Sequence, residues 1–138
     1  LSRGRLWKYF TTSRVDRRER LLDDPCDDFS AFIDRVHHVQ ARAGYDQGPQ
    51  VPHPAAPEYQ ASLQFQQRFW QQIWQSQRRR GYQQTTLTPE FGPDGYLHHL
   101  PFTNVPVADL WSLNAWMAEH EQQHFAEFLS LTEKDPQP

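Results

Sequence analysis

Apolar side chains recur along the chain with the period of an α-helix in three places. These predicted helices cover 27–35, 57–80 and 107–129. The second is the clearest, because large apolar side chains fill about half of its helical wheel. The other half is mostly glutamine and is expected to be solvated. Pro57 suits the first turn, and Gly81 follows three arginines that complement the negative end of the helix dipole. The apolar face carries Tyr59, Leu63, Phe65, Phe69, Trp70, Ile73 and Trp74.

Two shorter segments between the helices have the pattern of β-strands. The first, over 36–41, places Val39 and Ala41 on one face and polar side chains on the other. The second covers 83–88. A proline-rich loop over 44–57 follows the first strand, and prolines make such a path stiff. The order helix–strand–helix–strand–helix favours parallel strands joined by helical crossovers, so the sequence predicts an α/β fold.

Length and composition limit the class of protein. A chain of 138 residues is enough for one domain with a core, but a complete eight-unit α/β barrel takes about 250 residues. The net charge of −3 gives no electrostatic reason to bind nucleic acid. A single cysteine, Cys26, fits a reducing compartment, and no apolar run approaches the roughly 18 residues of a membrane span. We therefore expect a cytoplasmic protein without nucleic-acid or membrane partners.

The two ends of the chain differ in composition from its centre. Residues 1–20 are rich in arginine and lack a clean period, which predicts a divergent or disordered basic segment. No aromatic-interleaved patch accompanies the arginines, which argues against a nucleic-acid site. Residues 132–138 predict a polar tail. The organised part of the chain is therefore expected over 21–131.

A carboxylate lies where the second predicted strand gives way to its loop. Glu90 follows Thr88-Pro89 and precedes Gly92-Pro93. In parallel α/β folds, ligands bind at the carboxyl ends of strands, in the loops that lead to helices. Glu90 is therefore a candidate metal ligand or proton-transfer group. The alternative, a carboxylate that only caps the turn, stays open.

A second candidate site lies in the last predicted helix. Residues 120–124 read His-Glu-Gln-Gln-His, the H-E-x-x-H pattern in which two histidines bind zinc and the glutamate acts as general base. Glu127 replaces the glycine of the extended pattern, and no third histidine follows His124. The two interpretations are a zinc hydrolase that uses His120, Glu121 and His124, and a polar or interface patch on a C-terminal helix.

Three stretches of the chain resemble successive parts of sugar phosphate isomerase/epimerase-like proteins, which belong to the xylose isomerase-like barrels. Residues 35–51, RVHHVQARAGYDQGPQV, resemble the seventh-strand region of that family. Residues 88–96, TPEFGPDGY, continuing through LPFT at 100–103, resemble its eighth-strand region. The final helix resembles the family's at Asp109-Leu110-Trp111 and Trp116-Met117. The similarity extends over about 19–125.

This resemblance implies a (β/α)8 TIM barrel with a divalent metal (Mn, Mg, Co or Zn) at the carboxyl ends of the strands. The family interconverts sugars by proton or hydride shifts beside a metal-polarised carbonyl. Glu90 matches the family's eighth-strand metal carboxylate, and Gln40 stands at the seventh-strand ligand position, where relatives often carry histidine. A catalytic role for Glu90 is also implied. Arg42, Gln50 and Tyr96 would contact a sugar or sugar-phosphate-like molecule, although a structural ion pair is the alternative for Arg42.

The chain is expected to be a partial barrel, the last two to three βα units, and to be inactive alone. The family has a strand with Asp-x-x-His before residue 19, and Thr12–Arg18 matches neither its apolar character nor its histidine. A two-stranded remnant exposes strand edges, which predicts self-association. The alternatives to an isomerase-like barrel portion are the zinc hydrolase and a non-enzymatic remnant that associates through its exposed faces.

Overall fold

The computed structural model describes residues 29–93 and 95–134, with a mixed α/β fold. The predicted order of elements is confirmed in this part of the chain. The predicted basic segment 1–20 and the end of the predicted tail, 135–138, lie outside the described residues. A 3₁₀ turn at Pro57–Tyr59 precedes the second helix. The main elements are α1 (Phe29–Ile33), β1 (Val39–Ala41), α2 (Gln60–Arg79), β2 (Leu87–Pro89) and α3 (Leu110–Lys134).

The two strands form a parallel pair joined by the α2 crossover, as predicted. Val39 lies opposite Leu87 and Ala41 opposite Pro89. Each strand is three residues long, shorter than the predicted 36–41 and 83–88. The segment before β1 is instead tied to the end of α2, because the carbonyl of Val36 accepts hydrogen bonds from the side chains of Gln77 and Arg80.

The faces of the sheet differ in polarity, as the alternation predicted. Val39 and Ala41 are buried on the face that packs against the helices. The opposite face carries Gln40 and Thr88, which are exposed and lie opposite each other in the register. Polar side chains on neighbouring strands can therefore converge beyond the carboxyl ends of β1 and β2.

Helix α2 begins and ends close to its predicted bounds. The helix ends in a Schellman motif, in which Tyr82 N–H donates to the carbonyl of Gln77 and Gly81 N–H to that of Arg78. Gly81 has a φ of 85°, a left-handed conformation that glycine adopts without steric cost. The apolar face is buried as predicted, with Tyr59 half-buried at its start.

The expectation that the glutamine face of α2 is solvated is wrong at three positions. Gln66, Gln67 and Gln77 are buried. Gln67 donates to Glu121 on α3 at 2.8 Å, and Gln77 donates to the carbonyl of Val36. Gln67 and Gln77 can be buried because polar partners on neighbouring segments satisfy their amides.

Helix α3 begins three residues later than predicted and ends five residues later. Val107 belongs instead to a hairpin in the preceding loop, where its N–H donates to the carbonyl of His98. Asp109 instead caps the first turn, accepting from the N–H of Ser112 at 2.8 Å. The helix continues to Lys134, so the predicted polar tail from residue 132 starts inside it.

One apolar cluster joins the helix-facing side of the sheet to α2 and α3. Trp74, Leu113 and Met117 are buried at its centre. This packing fixes the two strands against both long helices, so the loops after β1 and β2 leave from a rigid base. No helix in the described part of the chain is long and apolar enough to cross a membrane.

Candidate functional site

Arg42 and Glu90 meet immediately beyond the carboxyl ends of the two strands. The Nε–H of Arg42 donates to the backbone carbonyl of Glu90 at 2.7 Å, and its Nη2 donates to Oε1 of the same residue at 2.9 Å. The register explains the pair, because Ala41 lies opposite Pro89 and the next residues continue side by side. The Arg42 side chain is only 14% exposed, whereas that of Glu90 is 43% exposed. The carboxylate is therefore the accessible member of the pair.

Tyr96 completes this group from the loop after β2. The guanidinium carbon of Arg42 lies 4.6 Å from the centre of the Tyr96 ring, within the range of a cation–π contact. Tyr96 is 39% exposed, so part of its ring stays accessible beside the ion pair. The structure thus brings together three of the side chains singled out in the sequence, namely Arg42, Glu90 and Tyr96.

Gln50 lies in the same region but does not present its amide to solvent. The side chain is 1% exposed. Its Nε2 donates to the carbonyl of Gly92 at 3.3 Å, and its Oε1 accepts from the N–H of Gly92 at 2.7 Å. Gln50 therefore ties the loop after β1 to the loop after β2, and its polar atoms are engaged with backbone rather than directed toward a ligand.

Asn114, on α3, is a residue of this site that the sequence interpretation missed. Its Oδ1 accepts from the N–H of Phe91 at 2.9 Å, and its Nδ2 donates to the carbonyl of Phe91 at 3.1 Å and to that of Leu110 at 3.0 Å. A signal was present, because Asn114 lies beside Leu113 in the apolar stripe of the helix. A polar side chain in such a stripe needs a specific partner.

A cavity of about 330 Å³ runs along β1 from this group of side chains. Gln40, Arg42 and Glu90 line its polar part. Its apolar wall comes mainly from α1 and α2 and includes Phe32, Phe69, Trp70 and Ile73. The two predicted ligand positions, Gln40 and Glu90, therefore border the same space.

The described residues do not by themselves fit a metal centre. Glu90 and Gln40 offer two carboxylate oxygens and one amide oxygen, and one carboxylate oxygen already accepts from Arg42. Within 29–93 and 95–134 no group of three or more His, Cys, Asp or Glu side chains is placed to hold a metal ion. Divalent cations take about four to eight ligands in proteins. A metal held by Glu90 and Gln40 would need further ligands from outside the described residues.

The H-E-x-x-H segment packs against α2 in the structure. Glu121 is 2% exposed and accepts from Gln67. His124 has Nδ1 at 3.1 Å from Oε2 of Glu121 and Nε2 at 2.8 Å from Nε2 of Gln71. With Nε2 accepting from the Gln71 amide, the His124 proton lies on Nδ1 and is donated to Glu121. Both nitrogens of His124 thus have protein partners.

His120 has a separate environment one turn earlier on α3. Its ring stacks on that of Trp116, with centroids 4.5 Å apart and planes 13° from parallel. His124 packs instead against Trp74, at 5.3 Å between centroids. The two histidines of the pattern therefore have different aromatic neighbours, and the intervening Glu121 is directed into the helix interface.

Tyr45 lies in the tight turn after β1, close to the cavity. Its N–H donates to the carbonyl of Gly48 at 2.9 Å, and its ring meets that of Tyr59 edge to face at 5.3 Å. Burial raises the pKa of the Tyr45 phenol, and the neighbouring Tyr59 phenol raises it further. Tyr45 therefore stays neutral and acts as a packing residue at neutral pH.

Comparison of the chain with protein-family models, curated proteins and solved structures finds no match.

Proposed function

We propose that this chain is the C-terminal portion of a sugar isomerase/epimerase-like (β/α)8 barrel, and that it is inactive alone. The observation that carries the proposal is the convergence of Arg42, Glu90 and Tyr96 beyond the carboxyl ends of two parallel strands. Ligand sites in parallel α/β folds occur at this end of the sheet. The alternation of a helix-packed face with a polar face also supports the proposal, because an inward polar face is what a barrel mouth would present.

The side chains offer complementary hydrogen-bonding groups to a polyhydroxylated molecule. Glu90 has a partly exposed carboxylate that can accept from a hydroxyl or take a proton. Arg42 retains N–H groups beyond the two that it donates to Glu90, and these can donate to a hydroxyl or phosphate oxygen. The proposal assigns substrate contact to Arg42 and Tyr96, and the proton-transfer or ligand role to Glu90. A divalent cation would supply carbonyl polarisation, with Gln40 and Glu90 as two of its ligands.

The test supplies the missing part of the barrel. Residues 19–138 are fused to the first six βα units of a xylose isomerase-like protein, and the chimera is assayed with Mn²⁺ on a panel of ketoses and aldoses. We expect turnover by the chimera and none by the isolated chain. The Glu90→Gln change should lower kcat by at least about a hundredfold, the usual contribution of one acid–base group.

The matched control is Gln123→Ala, because Gln123 is an exposed amide on α3 away from the strand ends. This variant should retain the turnover of the parent chimera. Equal turnover in the parent and in Glu90→Gln, with both chimeras folded by circular dichroism, would refute the role assigned to Glu90.

A second candidate function, self-association without catalysis, is favoured by the open edge of β1. Val39 and Ala41 bond to β2, so the N–H and C=O of Gln40 point away from it. Neither group has a hydrogen-bond partner among the described residues. The outer edge of β2 is less available, because Pro89 has no N–H and Asn114 occupies both backbone groups of Phe91. A second copy would therefore pair β1 with β1 in antiparallel register, with the two Gln40 residues facing each other.

Disulfide trapping tests this pairing directly. In a Cys26→Ser background, Gln40→Cys should form an intermolecular disulfide under mild oxidation, because facing residues of an antiparallel pair lie about 5.5 Å apart at Cα. The control is Thr88→Cys, which is exposed on the same face but already faces β1. Equal crosslinking of the two variants, or a chain that remains monomeric at all concentrations, would contradict the β1 pairing.

The zinc-hydrolase alternative receives less support. Glu121 lies in the interface between α2 and α3, and Gln67 and His124 occupy its carboxylate oxygens. A general base must reach a metal-bound water, which this carboxylate could do only after leaving its partners. Calorimetry with Zn²⁺ on the wild type and on His124→Ala separates the two interpretations, since only a zinc site predicts binding that the substitution removes.

A further inference from the structure

Three successive residues after β2 are each held by a side chain from a different segment. Arg42, from the end of β1, donates to the carbonyl of Glu90. Asn114, from α3, bonds to both backbone groups of Phe91, and Gln50, from the loop after β1, bonds to both backbone groups of Gly92 (donors and acceptors as described above). The backbone from Glu90 to Gly92 is therefore held at each of its three residues.

The directions of these contacts follow from the geometry of an extended chain. Glu90 N–H donates to the carbonyl of Ala41, so the backbone groups of Glu90 point toward β1. Backbone groups of successive residues alternate in direction, so those of Phe91 point away from β1 and those of Gly92 point back. Gln50 and Asn114 therefore hydrogen-bond to the segment from opposite sides. They take the places that backbone groups of two flanking strands would occupy.

A primary amide is the side chain suited to this task. It carries a donor and an acceptor side by side, which match the N–H and C=O of a single residue. A carboxylate could accept from the N–H but could not donate to the carbonyl. Asn114 uses its second amide hydrogen on Leu110, so three hydrogen bonds lock its orientation. Gln50, at 1% exposure, is likewise confined.

We propose that Asn114 and Gln50 are positioning residues that deliver the Glu90 carboxylate to Arg42 and to the space beyond the strand ends. Both act through the backbone of Phe91 and Gly92 rather than by touching a ligand. The inference rests on the proposed function, because Asn114 and Gln50 are assigned the task of placing Glu90, the proton-transfer group of that function. Through Asn114 and Gln50, the loop after β2 is hydrogen-bonded both to helix α3 and to the loop after β1.

The effect is measurable on the isolated full-length chain by NMR, without any activity. Asn114→Ala should speed amide hydrogen exchange at Phe91 about tenfold, the equivalent of one lost net hydrogen bond of about 1.4 kcal/mol. The signal of the Arg42 Nε–H, protected in the wild type by its bond to the Glu90 carbonyl, should broaden or exchange faster. Gln50→Ala should likewise speed amide hydrogen exchange at Gly92.

Two comparisons keep the test specific. Gln123→Ala, on the exposed side of the same helix, should change neither signal. If Asn114→Ala unfolds the chain, Asn114→Asp provides the second test, since its carboxylate still accepts from Phe91 but repels the Phe91 carbonyl. It too should speed exchange of the Arg42 Nε–H, with protection at Phe91 largely kept.

The inference is overturned if the Arg42 Nε–H keeps its wild-type exchange rate in folded Asn114 variants. It is also overturned if all core amides exchange faster by the same factor, because that pattern indicates a purely structural role. Failure of the barrel chimera to turn over sugars is a separate result. It would remove the proposed function while leaving the positioning of Glu90 intact.

Discussion

Replacing Glu121 should destabilise the fold strongly, although its sequence pattern is that of a catalytic base. The carboxylate is 2% exposed between α2 and α3, and it accepts from Gln67 and His124. Glu121→Ala removes both hydrogen bonds and leaves the buried amide of Gln67 without this acceptor. An unsatisfied buried polar group costs about 1–3 kcal/mol, and a hydrogen bond to a charged group contributes about 1.5–3 kcal/mol. We therefore expect a loss of about 3 kcal/mol in the free energy of unfolding.

Urea denaturation followed by tryptophan fluorescence measures this loss, because Trp74 lies in the same interface. Glu121→Gln should cost less, about 1 kcal/mol, because the new amide can accept from Gln67 and donate to Nδ1 of His124. This requires the imidazole to change tautomer and the Gln71 amide to turn over, so that its oxygen accepts from Nε2–H. The control is Glu119→Ala, an exposed carboxylate on the same helix, which should change stability by less than about 0.5 kcal/mol. A loss in Glu121→Ala no larger than in Glu119→Ala would refute the packing role.

Three further predictions concern the ends and the core of the helices. Hydrogen bonds from the hydroxyl and then the N–H of Ser112 lower the pKa of Asp109. The charged cap should therefore stabilise the fold above about pH 4 and lose this contribution as pH falls through the lowered pKa. The stability difference between wild type and Asp109→Ala, measured by urea denaturation at each pH, should shrink as the pH falls. Leu113→Ala should lower the free energy of unfolding by about 3 kcal/mol, whereas Leu131→Ala, at an exposed site of the same helix, should leave it almost unchanged. Gly81→Ala should cost about 1 kcal/mol from its φ of 85° alone, because a methyl group there meets no other atom within 4 Å; a neutral result would contradict the left-handed cap.

The meeting of Arg42 and Glu90 could be predicted because it depends on few facts. Alternation and element order give two parallel strands, and parallel strands deliver their following residues to the same edge. A register with Ala41 opposite Pro89 then makes the next residues neighbours. Sequence reasoning left open whether Arg42 forms an ion pair or contacts a ligand. The structure contains the ion pair, and its partly exposed carboxylate is compatible with a ligand contact as well.

The engagement of Gln50 and Asn114 could not be predicted in the same way. Each amide bonds to a backbone residue far away in sequence, 42 positions for Gln50 and 23 for Asn114. The path of both loops must be known before such a partner can be named. The burial of Gln67 was missed for a related reason. Periodicity treats each helix separately, whereas the acceptor of Gln67 is Glu121 on another helix.

The bounds of the helices and strands depended on individual hydrogen bonds of the backbone near their ends. Sequence periodicity predicted α3 from Val107, but Val107 lies in the preceding hairpin, where its N–H donates to the carbonyl of His98. β1 begins only at Val39, and the backbone groups of Val36, just after α1, bond instead to Ile33 and to the side chains of Gln77 and Arg80. Both effects arise from individual side-chain and loop contacts, which hydrophobic patterning does not encode.

The most direct test of the central claim is the ratio of sugar turnover by the barrel chimera to turnover by its Glu90→Gln variant. We predict measurable interconversion of at least one sugar, a ratio of about a hundred or more, and an unchanged rate in Gln123→Ala. A folded chimera that converts no sugar, or one whose turnover is the same with glutamine at residue 90, would contradict the assignment of this chain to the mouth of an isomerase-like barrel.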